Sequence, residues 1–184
     1  AAAGAEALTP HDCGLLLAAL RVFVGALREF PELVEEHVAV VAPALVGFTQ
    51  WLLPVYEAAA VGAGDDVGGA AAGGEEVDYD SDGEAMGVST LAMEALVSLS
   101  QMGGTARRAY RRVAKEACGA ITEAAVGYMA LTAAQLETWE DDPLSFVAEE
   151  DDDSLNTSVR HCAEDLIVEL ADAVETATLE GVVA

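Results

Sequence analysis

Apolar residues recur along this chain every three or four positions in several separate stretches. Leu16, Leu20, Phe23, Leu27 and Phe30 mark the first, with Leu17 and Val24 beside them. That spacing puts them on one face of an α-helix. Thr9, Pro10, His11 and Asp12 supply a cap and a first-turn proline, and Pro31 predicts the end. A second stretch holds Leu33, Val34, Val38, Val41, Leu45, Phe48, Leu52 and Val55, crossed by Pro43 and Pro54. Proline inside a helix removes a hydrogen bond and crowds the preceding turn, so this stretch is expected as two pieces. Val88, Leu91, Ala92, Ala95, Leu96, Leu99 and Met102 mark a third helix, which Gly103 and Gly104 are expected to end. Tyr110, Val113, Ala117, Ile121, Ala124, Tyr128 and Leu131 mark its partner. The last helix carries Val159, Cys162, Ala163, Leu166, Ile167, Leu170, Val174 and Ala177, with its cap expected at Asn156 or Thr157. Nothing alternates Val, Ile and Thr as a strand does.

Helix, helix, loop, helix, helix, connection, helix is the resulting order. Paired antiparallel helices with short joints are the unit of a helical-repeat solenoid, and pairs of about 40 to 47 residues have the HEAT or armadillo period. The expected fold is therefore all-α: a HEAT/armadillo-type solenoid segment, an α-α superhelix with long acidic loops. Residues 1–60 form one helix pair behind a frayed lead-in at 1–9, residues 61–84 a loop, and residues 85–184 further helices with an acidic connection at 137–156. The unpaired last helix implies a partner beyond Ala184, so the chain reads as an excised piece of a longer array.

Two acidic segments interrupt the helices. Residues 61–74 are rich in Gly and Ala and grade into Glu75, Glu76, Asp78, Asp80, Asp82 and Glu84. Such composition buries too little surface to offset ordering entropy, which predicts a mobile loop. The connection after Tyr128 combines Glu140, Asp141 and Asp142 with Trp139, Pro143 and Phe146, then runs through Glu149, Glu150, Asp151, Asp152 and Asp153. A solvated linker has no need of Trp139, Leu144, Phe146 and Val147. The connection is therefore expected to lie pinned on the helical body with its carboxylates in water.

Charge narrows the function classes. With 33 acidic against 8 Lys and Arg residues the formal net charge is -25, which opposes nonspecific nucleic-acid binding because phosphate contacts need cations. Basic partners are favoured instead, with association rates raised roughly 10 to 1000-fold by a field of one sign. Five of the eight cations, Arg107, Arg108, Arg111, Arg112 and Lys115, cluster at one helix start. The leading reading of this cluster is an internal tether for the acidic loops, through ion pairs of about 0 to 1 kcal/mol each. A site for acidic partners is the other.

Candidate chemistry is sparse. Cys13, Cys118 and Cys162 are odd in number and far apart, which opposes a disulfide framework and points to a reducing compartment. His11 with Cys13, and His161 with Cys162, lack the spacing of a zinc site. Asp78, Asp80, Asp82 and Gly83 match the start of a calcium loop, but its twelfth position is Ser89 instead of a bidentate Glu, so an acidic solvated loop is preferred. Ser81, followed by acids, fits a phosphate acceptor pattern. No GxSxG, HExxH or GxxxxGK[ST] is present, and the carboxylates lie in runs, so catalysis is not expected. No apolar run is read as reaching the roughly 18 to 20 uncharged residues of a membrane span, and the N-terminus lacks the basic start of a signal peptide.

One family is resembled. Tyr128, Thr132, Gln135, Trp139, the Asp142-Pro143 pair, Phe146-Val147, the acidic run 149–153, Ser158-Val159-Arg160, Ala163, Asp165 and Leu166 form a pattern similar to the importin-beta (karyopherin) family of nuclear transport receptors, in its importin nine branch. Asp80-Ser81-Asp82-Gly83-Glu84 fits the same branch, and the likeness covers roughly residues 75–170. The resemblance implies a receptor that carries basic cargo, core histones or ribosomal proteins, between cytoplasm and nucleus. It implies release by the GTP form of Ran and weak contacts to FG-repeat nucleoporins, both through the whole receptor, and no cofactor. Its Ran-binding helices lie near the receptor's N-terminus, and no matching motif is present here. Asp141, Asp142 and residues 149–153 are expected to give the better ordered cargo surface, and the acids of residues 75–84 a flexible one. The 61–74 insertion and the Arg cluster depart from the family pattern. A non-transport HEAT scaffold, such as a subunit organising a phosphatase, shares the helix periodicity, and an acidic histone chaperone would need a self-contained fold with capped ends.

Overall fold

Leu20 and Leu27 of the expected face are buried in the first helix, but the buried side is completed by Cys13, Leu17 and Val24, while Leu16 and Phe23 are half-buried. The structure, a computed structural model, describes residues 10–61, 87–151 and 158–183. Its helices are α1 (Pro10–Glu29), α2 (Pro31–Glu35), α3 (Val38–Tyr56, continued by a π-helical turn Glu57–Val61), α4 (Val88–Thr105), α5 (Arg107–Tyr128), α6 (Ala133–Asp141), α7 (Pro143–Asp151) and α8 (Val159–Val183). No strand occurs among the described residues, so the described fold is all-α. The 1–9 lead-in with Thr9, the 61–84 loop beyond Val61 with its calcium-like motif and Ser81, and Asn156 and Thr157 lie outside the described residues.

The central element is α4, which packs against α1, α3, α5 and α8. It buries Leu91, Ala92, Ala95, Leu96, Ser98, Leu99 and Met102. Two polar links of equal offset set α1 beside it: Arg21 Nε donates to Glu94 Oε1 and Arg28 Nε to Gln101 Oε1, both at 3.1 Å. Equal offsets along both helices make them parallel. On the other side Cys162 of α8 lies within electrostatic reach of Glu94, and Glu169 lies against Gly103, so α8 is parallel to α4 as well. A second row is formed by α3, which packs on α4 and α5, and α5, which packs on α4 and α8. Ala92, Ala95, Ala114, Ala125 and Ala163 are fully buried between them; with no atoms beyond Cβ they let helix backbones approach closely.

Several boundaries differ from expectation. The second stretch breaks at Glu36 and His37 instead of at its prolines, and α3 runs through both Pro43 and Pro54. Both prolines are exposed, so the carbonyls they leave unpaired, those of Ala39 and Gln50, lie on a side that water reaches. Past Pro54 the helix widens into the π turn, a usual relaxation of a proline-disturbed ladder. Gly103 and Gly104 lie inside α4, which ends at Thr105. A Cβ on Gly103 would stand 3.2 Å from Glu169 Oε2 and 3.4 Å from Tyr110 Cε1, so close packing accounts for this glycine. Ser158 caps α8, its Oγ accepting from the His161 N–H at 3.2 Å. Phe30, expected inside, is 60% exposed.

The membrane expectation is also corrected. α3 holds no charged residue, and Val38–Val61 is a 24-residue helix with an 18-residue window of mean hydropathy 1.8, long and apolar enough to cross a membrane. Val38, Ala42, Leu45, Val46, Leu52 and Tyr56 are nevertheless buried where α3 packs on α4 and α5. Only 33% of its most apolar window is buried, and Val40 and Trp51 are exposed.

Candidate functional site

The acidic connection is a helical hairpin. Thr132 and Gln135 open α6 with a capping box: Thr132 Oγ1 accepts the Gln135 N–H at 3.2 Å, and Gln135 Oε1 accepts the Thr132 N–H at 3.0 Å. Asp142 both ends α6 and starts α7. Its N–H donates to Thr138 O at 2.8 Å, while its Oδ1 accepts from Leu144 N–H at 3.2 Å and Ser145 N–H at 3.1 Å. Pro143 takes the first helical position, where its missing N–H costs nothing. Across this turn Trp139 and Phe146 meet edge to face, centroids 5.4 Å apart at 83°, a geometry of about 0.5 to 1.5 kcal/mol beyond burial.

The aromatics therefore pin the two short helices to each other. They do not pin the connection to the body as expected: α6 buries no residue, and the substantial packing of α6 and α7 is mutual. Leu136 is 43% exposed, Trp139 48%, Val147 46% and Leu144 83%. Glu137, Glu140, Asp141 and Asp142 are exposed around them. Exposed apolar side chains and exposed carboxylates are thus interspersed along the two short helices.

The expected cargo residues divide accordingly. Asp141 is free on the surface, whereas Asp142 has a capping role as well. Glu149, Glu150 and Asp151 lie in the last turn of α7, but their side chains fall outside the described residues, as do Asp152, Asp153, Glu75, Glu76, Asp78, Asp80, Asp82 and Glu84 altogether. Leu136 and Glu137 were not among the expected residues. The signal for them was present in the Thr132-x-x-Gln135 box, which announces a helix that places Leu136, Trp139 and Glu140 on neighbouring turns.

The hairpin's base is anchored by Tyr128. Its hydroxyl donates to Thr49 O of α3 at 2.8 Å, and its ring lies 5.2 Å from that of Tyr56. Burial, with Tyr56 and Glu57 nearby, pushes its phenol well above the usual range. Other residues of the family-like pattern are also internal: Val159, Ala163 and Leu166 are buried, and Arg160 pairs with Glu164 at 3.2 Å within α8.

No cluster of three His, Cys, Asp or Glu side chains suits a metal among the described residues. His161 Nδ1 is 2.8 Å from Ser158 Oγ. Burial pushes the Cys162 thiol up to about 11, with Asp165 and Glu94 adding to it, so it is no thiolate at neutral pH. In the basic cluster Arg108, Arg112 and Lys115 are exposed and Arg111 is half-buried. The chain matches no protein-family model.

Proposed function

We propose that the chain is a segment of a HEAT-type helical-repeat receptor for nuclear import, which carries basic proteins such as core histones or ribosomal proteins between cytoplasm and nucleus. The observation that carries this reading is the α6–α7 hairpin, which exposes Leu136, Trp139, Leu144 and Val147 together with Glu137, Glu140 and Asp141. Exposed apolar side chains interspersed with carboxylates suit a Lys- and Arg-rich segment whose own apolar residues anchor it. The capping box, the Asp142-Pro143 corner and the Trp139–Phe146 contact preorganise that surface. Two rows of helices, with α1, α4 and α8 parallel, support the repeat reading. Release by Ran-GTP and contacts with FG-repeat nucleoporins belong in this proposal to the whole receptor.

The test is a titration with a core-histone dimer across salt concentrations. The native chain is compared with one carrying Asp141→Asn and neutral amides at 149–153. Neutralisation should weaken binding by at least about tenfold and flatten its salt dependence, since several rim charges act together. Equal affinity and equal salt slope in both chains would refute the assignment of this surface.

A further inference from the structure

We propose that the face of α5 formed by Arg108, Arg112 and Lys115 is a docking site for a short Asp- and Glu-rich segment of a partner protein. The three residues stand at i, i+4 and i+7, on one side of the helix within about 11 Å. All are exposed, and none makes an ion pair or hydrogen bond among the described residues. The neighbouring Arg111 is half-buried and already engaged.

Local physics disfavours this arrangement. Cations at i and i+4 repel each other, and the first turn of a helix carries a positive dipole end that favours acids. The α5 first turn has no acidic residue and no side-chain cap. A chain with 33 acidic residues and 8 basic ones nonetheless places five of the basic ones, and no acid, at 107–115. An anionic partner turns each of these costs into a gain.

The position of the face narrows the partner. α5 is 22 residues long, about 33 Å, and the cations occupy its first half, whereas the acidic hairpin follows its last residue. α6 leaves the end of α5 at a bend of 48° instead of folding back along it, so Asp141 and its neighbours stand away from the cations, and a basic cargo on the hairpin is not repelled by them. A nucleic acid is the less suitable ligand, because a long polyanion leaves this short face and meets a surface of net charge -25. A few carboxylates in sequence fit instead, since the Arg guanidinium presents paired donors that match a carboxylate.

The experiment uses the full 184-residue chain and a fluorescein-labelled peptide of twelve alternating Asp and Glu residues, followed by anisotropy at low and physiological salt. Native protein should bind, and Arg108→Gln/Arg112→Gln/Lys115→Gln should bind about tenfold more weakly or worse with unchanged helicity. Arg108→Gln and Lys115→Gln alone should each give an intermediate loss, which keeps the test valid should the triple variant misfold. No native binding, or equal binding by the triple variant, would overturn the proposal. Tighter binding of a twelve-nucleotide single-stranded DNA than of the peptide would replace it with phosphate recognition. A tenfold gain in peptide affinity on neutralising Glu75, Glu76, Asp78, Asp80, Asp82 and Glu84 would assign the face to the chain's own acidic run and overturn it as well.

Discussion

Gly127 offers the sharpest test of how α3 and α5 meet. A Cβ added there would lie 2.6 Å from Leu53 Cδ2, 2.9 Å from Cδ1 and 3.3 Å from Cγ. Contacts below about 3 Å do not persist, so Leu53 must leave its rotamer or the helices must part, an overpacking cost of about 1 to 3 kcal/mol. Against this, Ala in place of Gly within a helix is worth about 0.8 to 1.0 kcal/mol. Gly119 isolates the second effect, because it lies exposed on the same helix with nothing within 4 Å of its added Cβ. Gly119→Ala should therefore stabilise by about 0.5 to 1 kcal/mol, whereas Gly127→Ala should destabilise by up to about 2 kcal/mol after the propensity gain. Leu53→Ala opens the space. In that background Gly127→Ala should turn stabilising, with a coupling energy of about 1 to 3 kcal/mol. Urea denaturation at constant m-value reads each term. A Gly127→Ala chain as much stabilised as Gly119→Ala, with Leu53 intact, would refute the close contact.

Tyr128→Phe and Tyr110→Phe make a contrasting pair in the same assay. The first removes the buried bond to Thr49 O and should cost about 1 to 2 kcal/mol. The second removes a buried hydroxyl that has no partner and should be neutral or stabilising. Alkaline pH should destabilise the fold: the Cys162 thiol is pushed up to about 11 and the Tyr110 phenol to about 12, so the unfolded chain loses these protons first. The stability they contribute is complete below the ordinary thiol and phenol values and declines from about pH 9 to 12. Denaturation midpoints across that range should fall, and fall less in Tyr110→Phe and Cys162→Ala. Trp139→Ala should abolish amide-exchange protection across α6 and α7 while changing the global unfolding free energy by no more than about 0.5 kcal/mol, because the hairpin packs on itself; a global loss of several kcal/mol would mean that it is part of the core.

The long helices were legible because their apolar residues keep helical spacing, and that spacing survives into burial: Leu91, Leu96 and Leu99 are inside as read. The break in the second stretch was not, since proline's usual effect assumes that the freed carbonyl is hidden, and at Pro43 and Pro54 the helix side is open. Gly103 reads as a stop in the sequence because the close approach of Glu169 comes from a helix 66 positions later, and nothing local records it. Trp139 and Phe146 misled in another way. Large aromatics are usually buried against a core, and here they are spent on each other across a two-helix corner. The acids at 141 and 142 are both exposed, but which of them also shapes the backbone is clear only from the bonds of Asp142.

The placement of charge gives the two surfaces a common logic. Helix ends favour acids at the start and bases at the finish; α1 keeps to this with Asp12 in its first turn and Arg28 in its last, whereas α5 opens on Arg107 and Arg108, α6 ends on Glu140 and Asp141, and α7 ends on Glu149, Glu150 and Asp151. Each reversal costs a few tenths of a kcal/mol to about 1 kcal/mol. Sequences break local rules where something other than folding is selected. The basic end of α5 and the acidic end of the hairpin are separated by the length of one helix, so each can hold a partner of opposite sign without cancelling the other. If both docking assignments hold, an acidic peptide bound at Arg108, Arg112 and Lys115 should leave the affinity for a basic cargo nearly unchanged; strong competition between the two in a mixed titration would show that they share one surface.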